Sequence, residues 1–149
     1  MAKALIIYGS TTGNTESMAE TIREALDGKG LEAEARDVAD CAVSDLNGDH
    51  DLLLLGCPAY GDDEIELQDD FIDFYDQWDG VRLDGKPFAV FAPGDSSYEY
   101  FCGSVDMLED KMADMGGQAT VDGLKIDGDP ADFEEEIIAW AGSVADRLG

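Results

Sequence analysis

Short apolar runs alternate along the chain with stretches in which apolar residues recur every three or four positions. Three of the runs are almost continuously apolar, which is typical of strands covered on both faces of a parallel sheet. A fourth run alternates between apolar and charged residues and predicts a more exposed strand, and a fifth candidate lies near residue 120. The predicted strands are Lys3–Tyr8, Leu31–Arg36, Asp51–Gly56, Pro87–Ala92 and Ala119–Leu124.

Four other stretches have the spacing of amphipathic helices, with apolar residues along one face. Glycine-containing breakers such as "DGKG" and "MGGQ" separate helical stretches from strands. We assign the repeating apolar and aromatic residues to the core rather than to cofactor contacts. The four stripes are Met18, Ile22, Ala25 and Leu26; Phe71, Phe74, Tyr75 and Trp78; Val105, Leu108, Met112 and Met115; and Phe133, Ile137, Ile138, Ala141 and Leu148.

Alternating strands and helices predict right-handed crossovers and a parallel sheet with helices on both faces. The expected fold is a doubly wound α/β fold, a three-layer α/β/α sandwich whose five strands are ordered 2-1-3-4-5. The 149 residues suit one domain, residues 1–149. Open sheets of this kind bind ligands beyond the carboxyl ends of their strands, where the winding reverses. That rule predicts a site beside strands 1, 3 and 4.

The charge balance narrows the possible partners. The chain has 35 acidic and nine basic residues, a formal net charge of -26, so nucleic acids and anionic membranes would be repelled. The acids are spread along the whole chain, which favours a surface adapted to high salt over one acidic face that steers basic partners. The first residues, "MAKALIIYGS", do not resemble a secretory signal, and we expect a cytoplasmic protein.

The few cysteine and histidine residues argue against a metal site and against a histidine-based catalytic dyad. Cys41, Cys57 and Cys102 share no C-x-x-C spacing, so we expect reduced thiols and neither a disulfide framework nor a zinc or iron–sulfur site. His50 is the only histidine, which makes a histidine-based catalytic dyad a poor explanation and leaves His50 as a loop residue.

The loop after the first strand, "GSTTGNTES", is rich in hydroxyl groups but contains no Lys or Arg. It matches neither the Walker A pattern nor the dinucleotide pattern G-x-G-x-x-G, which argues against ATP, GTP and NAD. Two interpretations remain open: a simple helix N-cap, or a nest of neutral donors for one phosphate monoester, offset by the helix dipole. The donors would be the side chains of Ser10, Thr11, Thr12, Asn14 and Thr15.

Two further loops bring aromatic residues to the same edge of the predicted sheet. The loop after strand 3, "CPAYGDDEIELQ", places Tyr60 beside Gly61, a residue free to change its backbone conformation. The loop after strand 4, "PGDSSYEYFCG", carries Tyr98, Tyr100 and Phe101. Each loop alone could be a surface turn. Together with the hydroxyl-rich loop they predict a flat apolar ring system held between aromatic side chains, with a phosphate tail.

With these segments the chain resembles the flavodoxins, specifically the short-chain flavodoxins of sulfate-reducing bacteria. "GSTTGNTE", "GDDEIELQDDF" and "GDSSYEYFCG" occur in the order and spacing that the family uses, and the resemblance covers nearly the full length. It implies bound FMN, with Tyr60 and Tyr98 flanking the isoalloxazine ring. The implied contacts are Ser10, Thr11, Thr12, Gly13, Asn14 and Thr15; Pro58, Ala59, Tyr60, Gly61 and Asp62; and Gly94, Asp95, Tyr98, Tyr100, Phe101 and Cys102.

Several positions depart from the family pattern. Pro58 and Ala59 stand where Ser and Thr are usual, which removes a hydroxyl group and a backbone donor. Tyr60 replaces the more frequent Trp, and Ala92 and Pro93 replace Gly and Cys. We expect FMN to bind still.

The resemblance further implies a monomeric, low-potential one-electron carrier that cycles between neutral semiquinone and anionic hydroquinone. Gly61, Asp62 and Asp95 would tune its potentials, and its partners would be redox proteins with basic patches.

A quinone reductase on the same fold is the alternative, disfavoured because no extra segment forms a substrate pocket. A phosphorylated receiver domain would need an acid where Cys57 stands, and a low-molecular-weight phosphatase would need Arg where Asp63 stands.

Overall fold

The computed structural model describes residues 3–9, 14–48, 50–57, 59–60, 66–67, 69–78, 80–94, 103–127 and 130–147. Its main sheet is parallel in the order β2-β1-β3-β6, and two short strands, β7 and β8, pair with the far side of β6. This confirms the predicted order 2-1-3-4-5. The strands are β1 Lys3–Tyr8, β2 Glu32–Asp37, β3 Leu52–Gly56, β6 Pro87–Gly94, β7 Gln118–Ala119 and β8 Leu124–Asp127.

A second, two-stranded sheet lies outside the main one. In it β4, Ala59–Tyr60, pairs antiparallel with β5, Glu66–Leu67. The sequence predicted only a loop in this region, because two-residue strands are too short to produce a period-2 signal.

In the part of the chain that the structure describes, four α-helices cover the main sheet. They are α1 Asn14–Gly28, α2 Asp69–Tyr75, α3 Gly103–Asp114 and α4 Glu134–Arg147. Short 3-10 segments at Val38–Asp40, Val43–Asn47 and Pro130–Phe133 complete the described connections. Within the described residues no helix combines the length and the apolar character that crossing a bilayer requires.

Two apolar clusters form the core, one on each face of the sheet. Successive residues of β1 alternate between them, so that Leu5 and Ile7 face α2 and α3, and Ala4 and Ile6 face α1 and α4. Both faces of β1, β3 and β6 are therefore buried, which explains their continuous apolar sequences. The apolar faces of α2 and α3, which include Phe71 and Leu108, pack in one cluster. Those of α1 and α4, which include Ile22 and Ile137, pack in the other.

Three details of the predicted stripes differ from the structure. Ile138, expected in the core, has 45% of its surface exposed, because Ile137, Ala141 and Val144 already fill the buried face of α4. Trp78 lies beyond the end of α2 yet is fully buried, and its backbone N–H donates to the Tyr75 carbonyl at 3.1 Å. Phe133 lies in a 3-10 segment before α4, and Leu148 falls outside the described residues.

The fifth strand is the main correction. The sequence predicted one strand at Ala119–Leu124, but residues 120–123 interrupt it and separate β7 from β8. Three elements hold the interruption. The Thr120 N–H and hydroxyl donate to the Phe88 carbonyl of β6 at 3.0 Å, the Trp140 indole of α4 donates to the Asp122 carbonyl at 2.9 Å, and the Gly123 N–H donates to Glu109 of α3.

Candidate functional site

The carboxyl ends of β1, β3 and β6 meet at one edge of the sheet. Tyr8 pairs with Gly56, Gly56 pairs with Phe91, and the Gly9 N–H donates to the Gly56 carbonyl at 2.9 Å. The loops that follow these strands therefore begin side by side. This is the edge at which an open parallel sheet binds its ligand.

Helix α1 directs its amino-terminal end toward this edge. It begins at Asn14, and Thr15 in its first turn is 1% exposed, the one buried polar residue among those that the structure describes. The first backbone N–H groups of a helix lack partners within the helix and attract anions. The amino-terminal end of α1 therefore offers backbone donors of the kind that attract anions. Ser10–Gly13 lie outside the described residues.

The β4–β5 hairpin positions the loop after β3. Ala59 pairs with Leu67 and Tyr60 pairs with Glu66, and five residues separate Tyr60 from Glu66 along the chain. Gly61 and Asp62 belong to these five residues and, like Pro58, lie outside the described part of the chain. The hairpin returns the chain to α2, which begins at Asp69 and packs on the main sheet.

The loop after β6 begins later than predicted. The sequence placed Pro93 and Gly94 in the loop, whereas both belong to β6, paired with Ile126 and Asp127 of β8. The chain re-enters the described region at Gly103, the first residue of α3. Residues Asp95, Tyr98, Tyr100, Phe101 and Cys102 lie between these points, outside the described residues.

Gly56 is a residue of this edge that sequence reasoning did not single out. A Cβ atom built at Gly56 would overlap the edge of the Phe91 ring, which is fully buried and packs edge-on against Trp140 at 6.1 Å between ring centroids. A side chain at residue 56 would therefore displace Phe91 from below the edge. The sequence signal that could have identified Gly56 is its position directly after the four leucines of a buried strand.

The charged residues in the loop segments at this edge are all acidic. All nine basic residues lie in the described part of the chain, and the three loop segments 9–17, 57–68 and 93–103 contain none of them. Lys125 of β8 forms an ion pair with Asp106 at 3.1 Å. Burial raises the pKa of Tyr8 at the end of β1, and the carboxylates of Glu16 and Asp37 raise it further. The edge therefore combines helix-dipole donors with a surrounding negative field.

The described residues include two of the three cysteines, Cys41 and Cys57, and neither forms a disulfide bond within that part of the chain. Burial and the nearby Asp45 carboxylate raise the pKa of Cys41 to about 11, so its thiol stays protonated at neutral pH. Cys57 is fully buried directly after β3.

Comparison with known proteins places this arrangement in a family. The family model described as Flavodoxin matches residues 6–140. A flavodoxin of Maridesulfovibrio salexigens is 49% identical over 99% of this chain and 100% of its own length, and one of Nitratidesulfovibrio vulgaris is 45% identical with the same coverage. Among solved structures, oxidised flavodoxin 1 of Bacillus cereus superposes with a TM-score of 0.91 at 33% identity, covering 99% of this chain and all of its own.

The sheet order, the meeting of the ends of β1, β3 and β6 at one edge and these similarities agree with one another. The chain belongs to the flavodoxin family, whose members bind a flavin and carry electrons between proteins rather than acting as enzymes.

Proposed function

We propose that this chain binds FMN without a covalent bond and uses it as a low-potential one-electron carrier. The observation that carries the proposal is the convergence of the ends of β1, β3 and β6 with the amino-terminal end of α1 and the β4–β5 hairpin. A flavin with one phosphate needs these features together: helix N–H groups for the phosphate and loops from two other strands for the ring.

The phosphate would be held by neutral donors. In the proposal the dianion accepts hydrogen bonds from backbone N–H groups of the first loop, including Gly13, and from the side chains of the polar loop residues. Because the phosphate of a carrier is never transferred, the site needs no cation to stabilise a reacting group. The proposed side-chain donors are Ser10, Thr11, Thr12, Asn14 and the buried Thr15.

The ring system would lie between the other two loops. Tyr60, at the end of the β4 strand, and Tyr98 would cover its two faces. The other proposed contacts come from the backbone and side chains of Pro58, Ala59, Gly61 and Asp62 in one loop and of Gly94, Asp95, Tyr100, Phe101 and Cys102 in the other.

The acidic surroundings would set the potentials. The proposed cycle runs between the neutral semiquinone and the anionic hydroquinone of the flavin. Asp62 and Asp95 would raise the free energy of the anionic form, because like charges repel strongly where solvent is excluded. Gly61 would let its peptide turn without steric strain when the ring gains a proton, as glycine has no Cβ.

The partners would be redox proteins that present basic patches. With 35 acidic residues and no basic residue in the site loops, the edge attracts positively charged surfaces and speeds their encounter, most strongly at low ionic strength. Such partners would include a reductase that donates electrons to the carrier and oxidoreductases that accept electrons from it.

The proposal is tested by stepwise anaerobic reduction of the purified, FMN-supplemented chain, followed by visible absorption. We expect a long-wavelength blue species that rises and then decays as reduction proceeds. In Gly61→Ala the amount of this species should fall several-fold, whereas in the control Gly28→Ala it should not change, because a Cβ at Gly28 meets no atom within 4 Å. Direct bleaching from yellow to colourless would contradict a one-electron carrier.

A second assay separates the carrier from a quinone reductase. The loaded chain alone, with NAD(P)H and a quinone, should show no turnover until a separate reductase is added. Fast turnover without a reductase would contradict the proposal. Failure to retain flavin would mean that Pro58 and Pro93 have removed contacts that binding requires.

A further inference from the structure

The only histidine of the chain lies far from the proposed flavin site, at the amino-terminal edge of the sheet. His50 directly precedes Asp51 and β3 and is half-buried. The segment before it, residues 43–48, which we term the strap, packs against one face of the sheet. Its Leu46 side chain is fully buried in the cluster that contains Leu5 and Leu53.

Both ring nitrogens of His50 are engaged. Nε2 lies 2.7 Å from the Asp45 carbonyl, and Nδ1 lies 3.4 Å from the Lys86 ammonium, which also donates to the Gly48 carbonyl at 2.9 Å. A carbonyl only accepts hydrogen bonds, so Nε2 carries the proton and Nδ1 offers its lone pair to Lys86. His50 therefore joins the strap to the start of β6 through a bond that only the neutral ring can make.

Protonation of His50 would break this arrangement. A proton on Nδ1 would replace an acceptor with a donor and set two cations 3.4 Å apart in a half-buried position. The Lys86 ammonium would have to move, and its contact with the Gly48 carbonyl of the strap depends on its present position. The strap would then lose a connection to β6.

Water and protons have a route to the ring. The strap, β1 and β2 border a cavity of about 500 Å³ that His50 lines. Three charged groups touch or flank the ring directly: Asp45 in the strap, Asp51 before β3 and Lys86 before β6. The other charged groups that line this cavity are Lys3, Glu32, Glu34 and Arg36.

These groups act on the ring in opposite directions. Burial and Lys86 lower the pKa of His50, whereas the Asp45 carbonyl bond and the Asp45 and Asp51 carboxylates raise it, and the lowering dominates. Arg36 lies 3.7 Å from the Asp45 carboxylate, whose other bond is to the Ala42 N–H at 2.8 Å. The Asp45 carboxylate is thus already engaged and compensates a charged ring only in part, because burial outweighs it.

We propose that His50 and Lys86 form a pH-sensitive latch that holds the strap against the sheet at neutral pH and releases it when His50 gains a proton. Because the folded chain binds this proton less readily than the unfolded chain, the latch stabilises the fold above the unfolded pKa. Its contribution is lost as the pH falls toward the folded pKa.

The single histidine makes a direct test possible. The ring Cε1–H resonance of the flavin-loaded chain is followed by proton NMR against pH, in fixed molar NaCl that screens the distant carboxylates. We expect a midpoint below that of an unstructured histidine peptide and an upward shift in Lys86→Met. The matched control is Lys29→Met, whose ammonium lies 3.9 Å from Asp146 on α4 and should leave the midpoint unchanged.

A second measurement tests release of the strap itself. Amide hydrogen exchange of Val43–Gly48, corrected for its intrinsic pH dependence, should accelerate several-fold below the His50 midpoint. In His50→Gln, whose neutral amide can donate and accept at every pH, this acceleration should disappear. A midpoint at or above the peptide value, no response to Lys86→Met, or the same acceleration in His50→Gln would overturn the proposal.

Discussion

At the scale of single residues, the lack of space around Gly56 requires a residue without a side chain at this point of the proposed flavin edge. Any side chain there would meet the buried Phe91 ring, which is itself held between β3 and Trp140. Because protein interiors are close-packed, an inserted methyl group forces neighbouring side chains out of their preferred rotamers.

We therefore expect Gly56→Ala to lower the free energy of unfolding by about 1–3 kcal/mol. Urea denaturation of the flavin-free chain measures this loss without a contribution from ligand binding. The control is Gly28→Ala at the end of α1, where a Cβ meets open space and where alanine should be neutral or stabilising by up to about 1 kcal/mol. Equal stability of the two variants would show that Phe91 can move.

Trp78 illustrates a different residue-level compromise. Its ring is fully buried among Phe71, Phe74 and Tyr75, with ring centroids between 5.1 and 6.2 Å from its own, but its indole N–H has no hydrogen-bond partner among the residues that the structure describes. Aromatic pairs of this kind stabilise by about 0.5–1.5 kcal/mol each, against a cost of about 1–3 kcal/mol for a buried polar group that lacks a partner.

At the scale of elements, the interruption between β7 and β8 shows how tertiary contacts override a strand pattern. The residues Ala119–Leu124 have strand-like alternation, yet hydrogen bonds from Trp140 and Thr120 hold 120–123 in another conformation. Burial raises the pKa of Glu109, which accepts from Gly123, and the nearby Asp106 and Asp122 carboxylates raise it further. Helices on both faces of the sheet thus fix the ends of β7 and β8.

Trp140→Phe should loosen this interruption. The change removes the bond from the indole N–H to the Asp122 carbonyl and should cost about 0.5–1.5 kcal/mol of unfolding free energy, with faster exchange of amides 120–124. Ile138→Ala on the same helix is the control, because Ile138 is 45% exposed and surface changes usually cost less than about 0.5 kcal/mol. If exchange is unchanged in Trp140→Phe, the interruption does not depend on α4.

At the scale of the whole molecule, the excess of acidic residues dominates. Single cations are shared among several carboxylates: Arg23 lies within 3.9 Å of Glu20, Glu24 and Asp27, and Arg36 contacts Glu34 and Asp45. The remaining acids repel one another, and this repulsion acts against the compact state until salt screens it.

The unfolding free energy should therefore rise by at least about 1 kcal/mol between 0.1 and 2 M NaCl, roughly 4 °C in Tm. In a variant that carries Asp73→Asn, Asp76→Asn, Asp110→Asn and Asp114→Asn, the net charge changes from -26 to -22 and the salt response should be smaller. These four acids are exposed. A Tm that stays constant with salt in the parent chain would contradict adaptation to high salt.

Local periodicity was sufficient to predict the alternation of strands and helices, from which the doubly wound sheet order followed. The continuous apolar runs of β1, β3 and β6 and the apolar stripe of α1 consist of residues that are close together in the chain and are buried together. Burial of this kind leaves a regular pattern of apolar positions in the sequence. The two-residue hairpin strands, the exposure of Ile138 and the crowding of Gly56 by Phe91 were not predicted. Each depends on residues distant in sequence.

The sequence by itself determined the doubly wound architecture, the acidic composition and the edge where the ends of β1, β3 and β6 meet, because these follow from local spacing and composition. Only the tertiary structure decided where the fifth strand breaks, which glycine lies against an aromatic ring, and that His50 faces Lys86. The physical reason is that hydrogen bonds and steric contacts between separate elements form only once the sheet and helices are packed.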